Sequence, residues 1–173
     1  MNIKDSLILL NIYLSKKGVK RSFIICGGAS LVLQGIISRT TKDIDIIAPP
    51  IDEILKTSAL SVSQDLGLDD HWLNSGPETI SKDLASGWEG RVFEVFNDSN
   101  LSVFSISRSD LIFTKFWALC DRQKDKQDLL LLKPSLIELE DAIKQTLSKD
   151  QNPHWPEWVK KQGDNLKQEL GYE

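Results

Sequence analysis

Asp43 and Asp45 alternate with isoleucine in the segment Asp43-Ile44-Asp45-Ile46-Ile47. On a strand, residues two apart point to the same face, about 7 Å apart at the backbone. The two carboxylates would therefore project side by side. Two such anions repel unless a cation lies between them. Hard oxygen ligands of this kind suit Mg²⁺ or Mn²⁺, which would also hold a substrate phosphate. Upstream, Gly27 and Gly28 stand between the apolar run Ser22–Cys26 and a helical segment. Glycines there let the backbone approach a phosphate, and a helix start offers free N–H groups. Ser30 could add a hydroxyl. A Gly-Gly pair or an Asp-x-Asp alone is common. Both in this order, within one short segment, form a far more specific pattern.

The elements that must position these residues follow from periodicity. Apolar spacing predicts a first helix over 5–16 and strands over 22–26 and 43–47, the second stopped by Pro49-Pro50. Helices are expected over 29–36 and 51–66. Residues 67–90 read as a loop with one short helix around 77–85. The runs 91–96 and 101–106 flank Asn97-Asp98-Ser99-Asn100, which is hairpin chemistry. Ser109-Asp110 would cap a helix over 111–122, and a short helix over 125–132 would stop at Pro134. Ser135 and Glu138 spell a capping box for a helix reaching about 148. A terminal helix is expected in the tail.

This order predicts an α/β (α+β) fold with a small mixed sheet. The expected division is an α/β core over 1–108 and a helical region over 109–173 packed on it. The chain has 173 residues and a formal net charge of -4, which argues against a general nucleic-acid coat protein but leaves room for a local basic groove. Cys26 and Cys120 lie in apolar stretches and read as buried thiols of a reducing cytoplasm. No Cys/His cluster has zinc spacing. The N-terminus lacks signal-peptide form and no run reaches membrane-span length, so a cytoplasmic location is expected.

Gly27-Gly28-Ala29, Gly35, Arg39, Thr41 and Asp43-Ile44-Asp45 together resemble the nucleotidyltransferase superfamily that includes DNA polymerase β. They look most like a bacterial branch related to the toxin components of abortive-infection (toxin–antitoxin) systems. Lys115, Ala118, Arg122, Lys124-Asp125 and Asp128-Leu129 resemble that branch's later helix pattern. The resemblance covers about residues 20–132 and leaves the tail uncovered.

It implies a pair of Mg²⁺ ions that activate an attacking hydroxyl and stabilise departing pyrophosphate. It also implies a third carboxylate on a later apolar strand. Glu94, in Val92-Phe93-Glu94-Val95-Phe96, has that setting. The alternative places Glu94 on the solvent face of an edge strand. Arg39 and Thr41 would hold nucleotide phosphates, with Lys42 either joining them or merely solvated. Lys115 and Arg122 share one face of a continuous helix. They would clamp the triphosphate or a second substrate, or else pair with Asp121, Asp125 or Asp128. The five tryptophans read as core or interface rather than base-stacking residues. His71 and His154, each beside a tryptophan, read as structural.

The implied activity is transfer of a nucleoside monophosphate from an NTP to a hydroxyl acceptor on RNA, protein or a small molecule. The competing expectation is a catalytically degenerate module of the same fold that binds a nucleotide or a protein partner such as an antitoxin. A third is a structural subunit that uses the Trp-rich tail as its contact surface.

Overall fold

In the computed structural model, residues 2–76 and 80–172 are described. The chain forms two compact units, Met1–Ser107 and Arg108–Glu173. The first is built as α1 (Ile3–Lys16), β1 (Arg21–Cys26), α2 (Gly27–Leu33), β2 (Ile44–Ala48), α3 (Glu53–Leu66), β3 (Leu73–Ser75), α4 (Ile80–Asp83), a 3₁₀ turn over Trp88–Arg91, β4 (Phe93–Asp98) and β5 (Leu101–Ser105). The expected α/β class with a small mixed sheet holds. Five strands run in the order β3-β2-β1-β5-β4. β1 is antiparallel to β2 and parallel to β5, and β3 joins β2 in parallel.

One face of this sheet carries the core. Phe23 and Ile25 of β1, Ile44 and Ile46 of β2, and Leu101 and Val103 of β5 pack with Leu7, Leu10 and Leu14 of α1 and Leu55, Ala59 and Val62 of α3. Trp72 is wholly buried among them, and its indole N–H donates to the Ala59 carbonyl at 2.9 Å. Because strand residues alternate, this arrangement commits the neighbours of Ile44 and Ile46, including Asp45, to the opposite face. α3 opens on Asp52, whose carboxylate accepts the Leu55 N–H at 2.7 Å, a cap at the position its chemistry favours.

Several boundaries differ from expectation. β2 begins at Ile44 and not at Asp43, so Asp43 lies just outside the strand. α2 begins at Gly27, so the glycine pair lies inside its first turn. α5 begins at Arg108, so Ser109 and Asp110 lie inside the helix and do not cap it from outside. β3 falls where a loop was expected. At three residues it is too short to show alternation, and its pairing with β2 defines it. The helix expected around 77–85 is described only as Ile80–Asp83, and 77–79 lie outside the described residues.

The second unit comprises α5 (Arg108–Arg122), α6 (Lys126–Leu132), α7 (Leu136–Leu147) and α8 (Trp155–Leu170). α5 packs on α6, α7 and α8 through Phe116, Leu119, Leu129, Leu139, Ile143 and Val159, all buried. Cys120 is buried here, and desolvation pushes its thiol up to about 12. The capping box at Ser135 and Glu138 forms as the residue pattern predicts. Glu138 also receives the Arg108 guanidinium at 2.8 Å.

Burial pushes the Glu138 carboxyl up, but the Arg108 guanidinium and the Ser135 N–H and hydroxyl outweigh it, and the group is held below its usual 4.5. A carboxylate with a depressed folded-state pKa stabilises above its unfolded value and loses that contribution as pH falls through the folded one. Glu138→Ala is therefore expected to destabilise by about 1 kcal/mol at pH 7. In urea unfolding, that difference should shrink once the pH drops below 4.5. A difference unchanged down to strongly acid pH would contradict the assignment.

Candidate active site

The acid-bearing face is organised around Asp45. Asp45 sits opposite Cys26 in the β1–β2 ladder, where β1 ends and α2 begins. Gly27 has a φ of +72°, in the left-handed region that side chains disfavour. A Cβ added there would stand 3.1 Å from Asp45 Oδ2. Gly27 is therefore required twice, for the turn out of β1 and for the close approach of the carboxylate. At Gly28 the corresponding neighbour is the Thr41 hydroxyl, 3.4 Å away. Thr41 in turn donates that hydroxyl to the Asp43 carbonyl at 3.3 Å. The connection before β2 thus folds back over the glycine pair. Asp43 precedes β2 by one residue and is exposed, while Asp45 is half-buried.

Of the other expected site residues, Arg39 is exposed on the same connection. Lys42 is also exposed there. Ser30 is fully buried, and its hydroxyl is engaged by the Ile25 carbonyl at 3.1 Å. It buttresses the β1–α2 turn from inside. Glu94 has a mixed outcome. A bulge at Val95 lets Phe96 pair with Val103 on the core side and turns Glu94, opposite Phe104, to the face that carries Asp45. β4 is nevertheless the far edge strand. Three strand spacings separate it from β2, roughly 14 Å. Glu94 is exposed there and does not join the aspartate pair.

Asp43 and Asp45 provide two hard oxygen donors. Mg²⁺ is commonly held by one or two carboxylates, completing its shell with water and substrate phosphate. Asp43 and Asp45 are donors of that chemical type. A two-ion cluster needs a further bridging carboxylate, and among the described residues no group of three His, Cys, Asp or Glu side chains is placed to hold a metal.

Lys115 and Arg122 both lie on α5 but in different surroundings. The Lys115 ammonium is buried and sits 2.8 Å from Asp128 Oδ2 and 3.2 Å from Asp125 Oδ1. Arg122 is exposed, 3.6 Å from Asp121. The α5–α6 turn that delivers Asp125 has left-handed φ at Gln123 and at Asp125 itself, 53° and 68°.

Residues 7–146 match the family described as a nucleotidyltransferase of unknown function (DUF6036). The chain belongs to this family. No curated protein and no solved structure matches it. The DUF6036 match takes in the whole Gly27–Asp45 segment and the Lys115, Asp125 and Asp128 cluster, and it ends before α8. A nucleotidyltransferase uses nucleotide substrates. No helix among the described residues is long and apolar enough to cross a membrane.

Two features of this DUF6036 chain were not legible in its sequence. Gly76, just beyond β3, donates its N–H to the Ile46 carbonyl at 2.7 Å and lies against Asp45. A cavity of about 500 Å³ opens between α3 and β3, lined by Lys56, Leu60, Asp70, His71 and Asn74 among others. Asn74 is the ladder partner of Asp45, so the cavity borders the acid strand. Its volume falls within the range of small-molecule sites, about 300–1,000 Å³. Trp72, Trp88 and Trp155 are buried and Trp117 and Trp158 half-buried; Trp155 donates to the Thr146 carbonyl and Trp158 to the Cys120 carbonyl.

Proposed function

We propose that this chain transfers a nucleoside monophosphate from an NTP to a hydroxyl acceptor, with Asp43 and Asp45 as the ligands of one Mg²⁺ or Mn²⁺ ion. The observation that carries the reading is the Asp45 carboxylate seated on Gly27, beside Asp43, in a chain of a nucleotidyltransferase family. In the reaction, the acceptor oxygen bonds to the α-phosphorus and its proton passes to solvent. The bond from that phosphorus to the bridging oxygen breaks, and pyrophosphate leaves. When bound, the ion offsets the charge of the triphosphate and of the departing pyrophosphate. Arg39 and Thr41, on the connection that folds over the Gly27-Gly28 turn, flank the phosphates. Ser30 and the Ile44–Ile46 anchor keep the turn and the acid strand rigid, as a site of this kind requires.

The acceptor we favour is a small molecule, since a net charge of -4 opposes a large polyanion. The second reading is a nucleotide-binding module without turnover. It is favoured by the position of Glu94 on the far edge strand.

A screen separates the two. Four labelled NTPs with Mg²⁺ or Mn²⁺ are incubated with cellular RNA, protein or metabolite extract. The wild type is run against Asp43→Asn/Asp45→Asn. Label transferred by the wild type alone supports transfer. NTP binding without transfer supports the second reading, and neither binding nor transfer overturns both.

A further inference from the structure

We infer that Gly76 is a positioning residue for the Asp45 carboxylate, an inference that rests on the function proposed above. Asp45 is gripped at both ends of its side chain. Its Oδ2 lies against Gly27, and its Cβ lies against Gly76, where an added Cβ would come within 3.0 Å. The same added Cβ would stand 3.3 Å from the Ile46 carbonyl oxygen and 3.5 Å from the Asp45 carbonyl carbon.

These neighbours differ in kind from the one at Gly27. Oδ2 is the far end of a side chain that can rotate. Asp45 Cβ and the two main-chain carbonyls belong to the acid strand itself. The Gly76 N–H bond to Ile46 at 2.7 Å ties the segment to β2 at this point, so it cannot swing away without losing that bond. A methyl group here requires β2 or the backbone at Gly76 to give by a few tenths of an ångström. Productive site geometry tolerates only about 0.5 Å. Gly76 does not touch substrate. It acts by letting the backbone at position 76 lie flush on Asp45 Cβ and its strand, which fixes where β2 holds the carboxylate beside Gly27.

The test compares wild type, Gly76→Ala and Gly90→Ala. Gly90 is the control, since a Cβ there meets nothing within 4 Å. Transfer from labelled NTP is followed against Mg²⁺ concentration, and Mn²⁺ binding is measured without substrate by water-proton relaxation. For Gly76→Ala, the metal midpoint is expected to rise at least about 5-fold and the maximal rate to fall at least about 10-fold. Gly90→Ala should stay within about 2-fold of wild type on both. A Gly76→Ala that matches wild type overturns the inference. So does one that loses rate at an unchanged metal midpoint, because that marks a merely structural effect. Should this variant fail to fold, a crystal structure of the wild type with Mn²⁺ decides. Gly76 packed on Asp45 beside the ion supports the inference, and a gap wide enough for a methyl group overturns it. A wild type with neither Mn²⁺ binding nor transfer overturns the function reading instead.

Discussion

Lys115→Met is expected to destabilise the second unit by about 3–5 kcal/mol, because it removes the cation paired with the buried Asp128 carboxylate. The Lys115 side chain is 7% exposed and that of Asp128 only 2%. Removing the ammonium leaves Asp128 without its 2.8 Å partner and Asp125 without its 3.2 Å one. The turn between α5 and α6 holds two residues at left-handed φ, a conformation that persists only where the surroundings enforce it. Lys115 pairs with Asp125, one of these two residues. Urea unfolding followed by tryptophan fluorescence measures the loss. Arg122→Ala, at an exposed position, should change stability by no more than about 0.5 kcal/mol. Lys115→Met/Asp128→Leu should recover part of the loss, since replacing a buried pair by apolar groups is far milder than breaking it. A Lys115→Met variant as stable as wild type would show that the cluster does not hold the α5–α6 corner.

Asp45→Asn is expected to lower nucleotidyl transfer on the order of 100-fold or more, since losing even a group behind a metal ligand costs 10–100-fold. The substitution keeps size and shape, so contact with Gly27 and Gly76 survives and the thermal midpoint should move little. The effect should appear chiefly as a raised metal requirement. Asp43→Asn should act the same way, as the other donor of the pair. Measuring rate against Mg²⁺ concentration for both variants checks this. An Asp45→Asn protein with an unchanged metal midpoint would remove the aspartate from the ion's shell.

Much of the first unit was legible because its signals are local. The alternation in Ile44–Ile47, the stop at Pro49-Pro50 and, in the second unit, the capping box at Ser135 each act over a few residues, and each formed. What was not legible depends on pairing between distant segments. β3 is three residues long and exists through its ladder with β2, so no periodicity announced it. Ser-Gly-Pro at 75–77 reads as ordinary turn chemistry. Only the fold brings Gly76 onto Asp45. Glu94 illustrates both sides. Its apolar flanks marked it out, and the Val95 bulge does turn it to the acid face, but the strand order that sets it at the far edge is a property of the whole sheet. For Lys115, residue spacing left phosphate binding and ion pairing equally open, and the buried contacts with Asp125 and Asp128 show the pairing.

In the proposed function the aspartate pair, seated on Gly27 and without Glu94, is the ion-dependent nucleotidyl-transfer site. It is tested most directly by steady-state transfer from labelled NTP in wild type, Asp45→Asn and Glu94→Gln, each across a range of Mg²⁺ concentrations. Asp45→Asn is expected to lose on the order of 100-fold, and Glu94→Gln to stay within about 3-fold of wild type. Equal losses in the two variants, or full activity in Asp45→Asn, would contradict it.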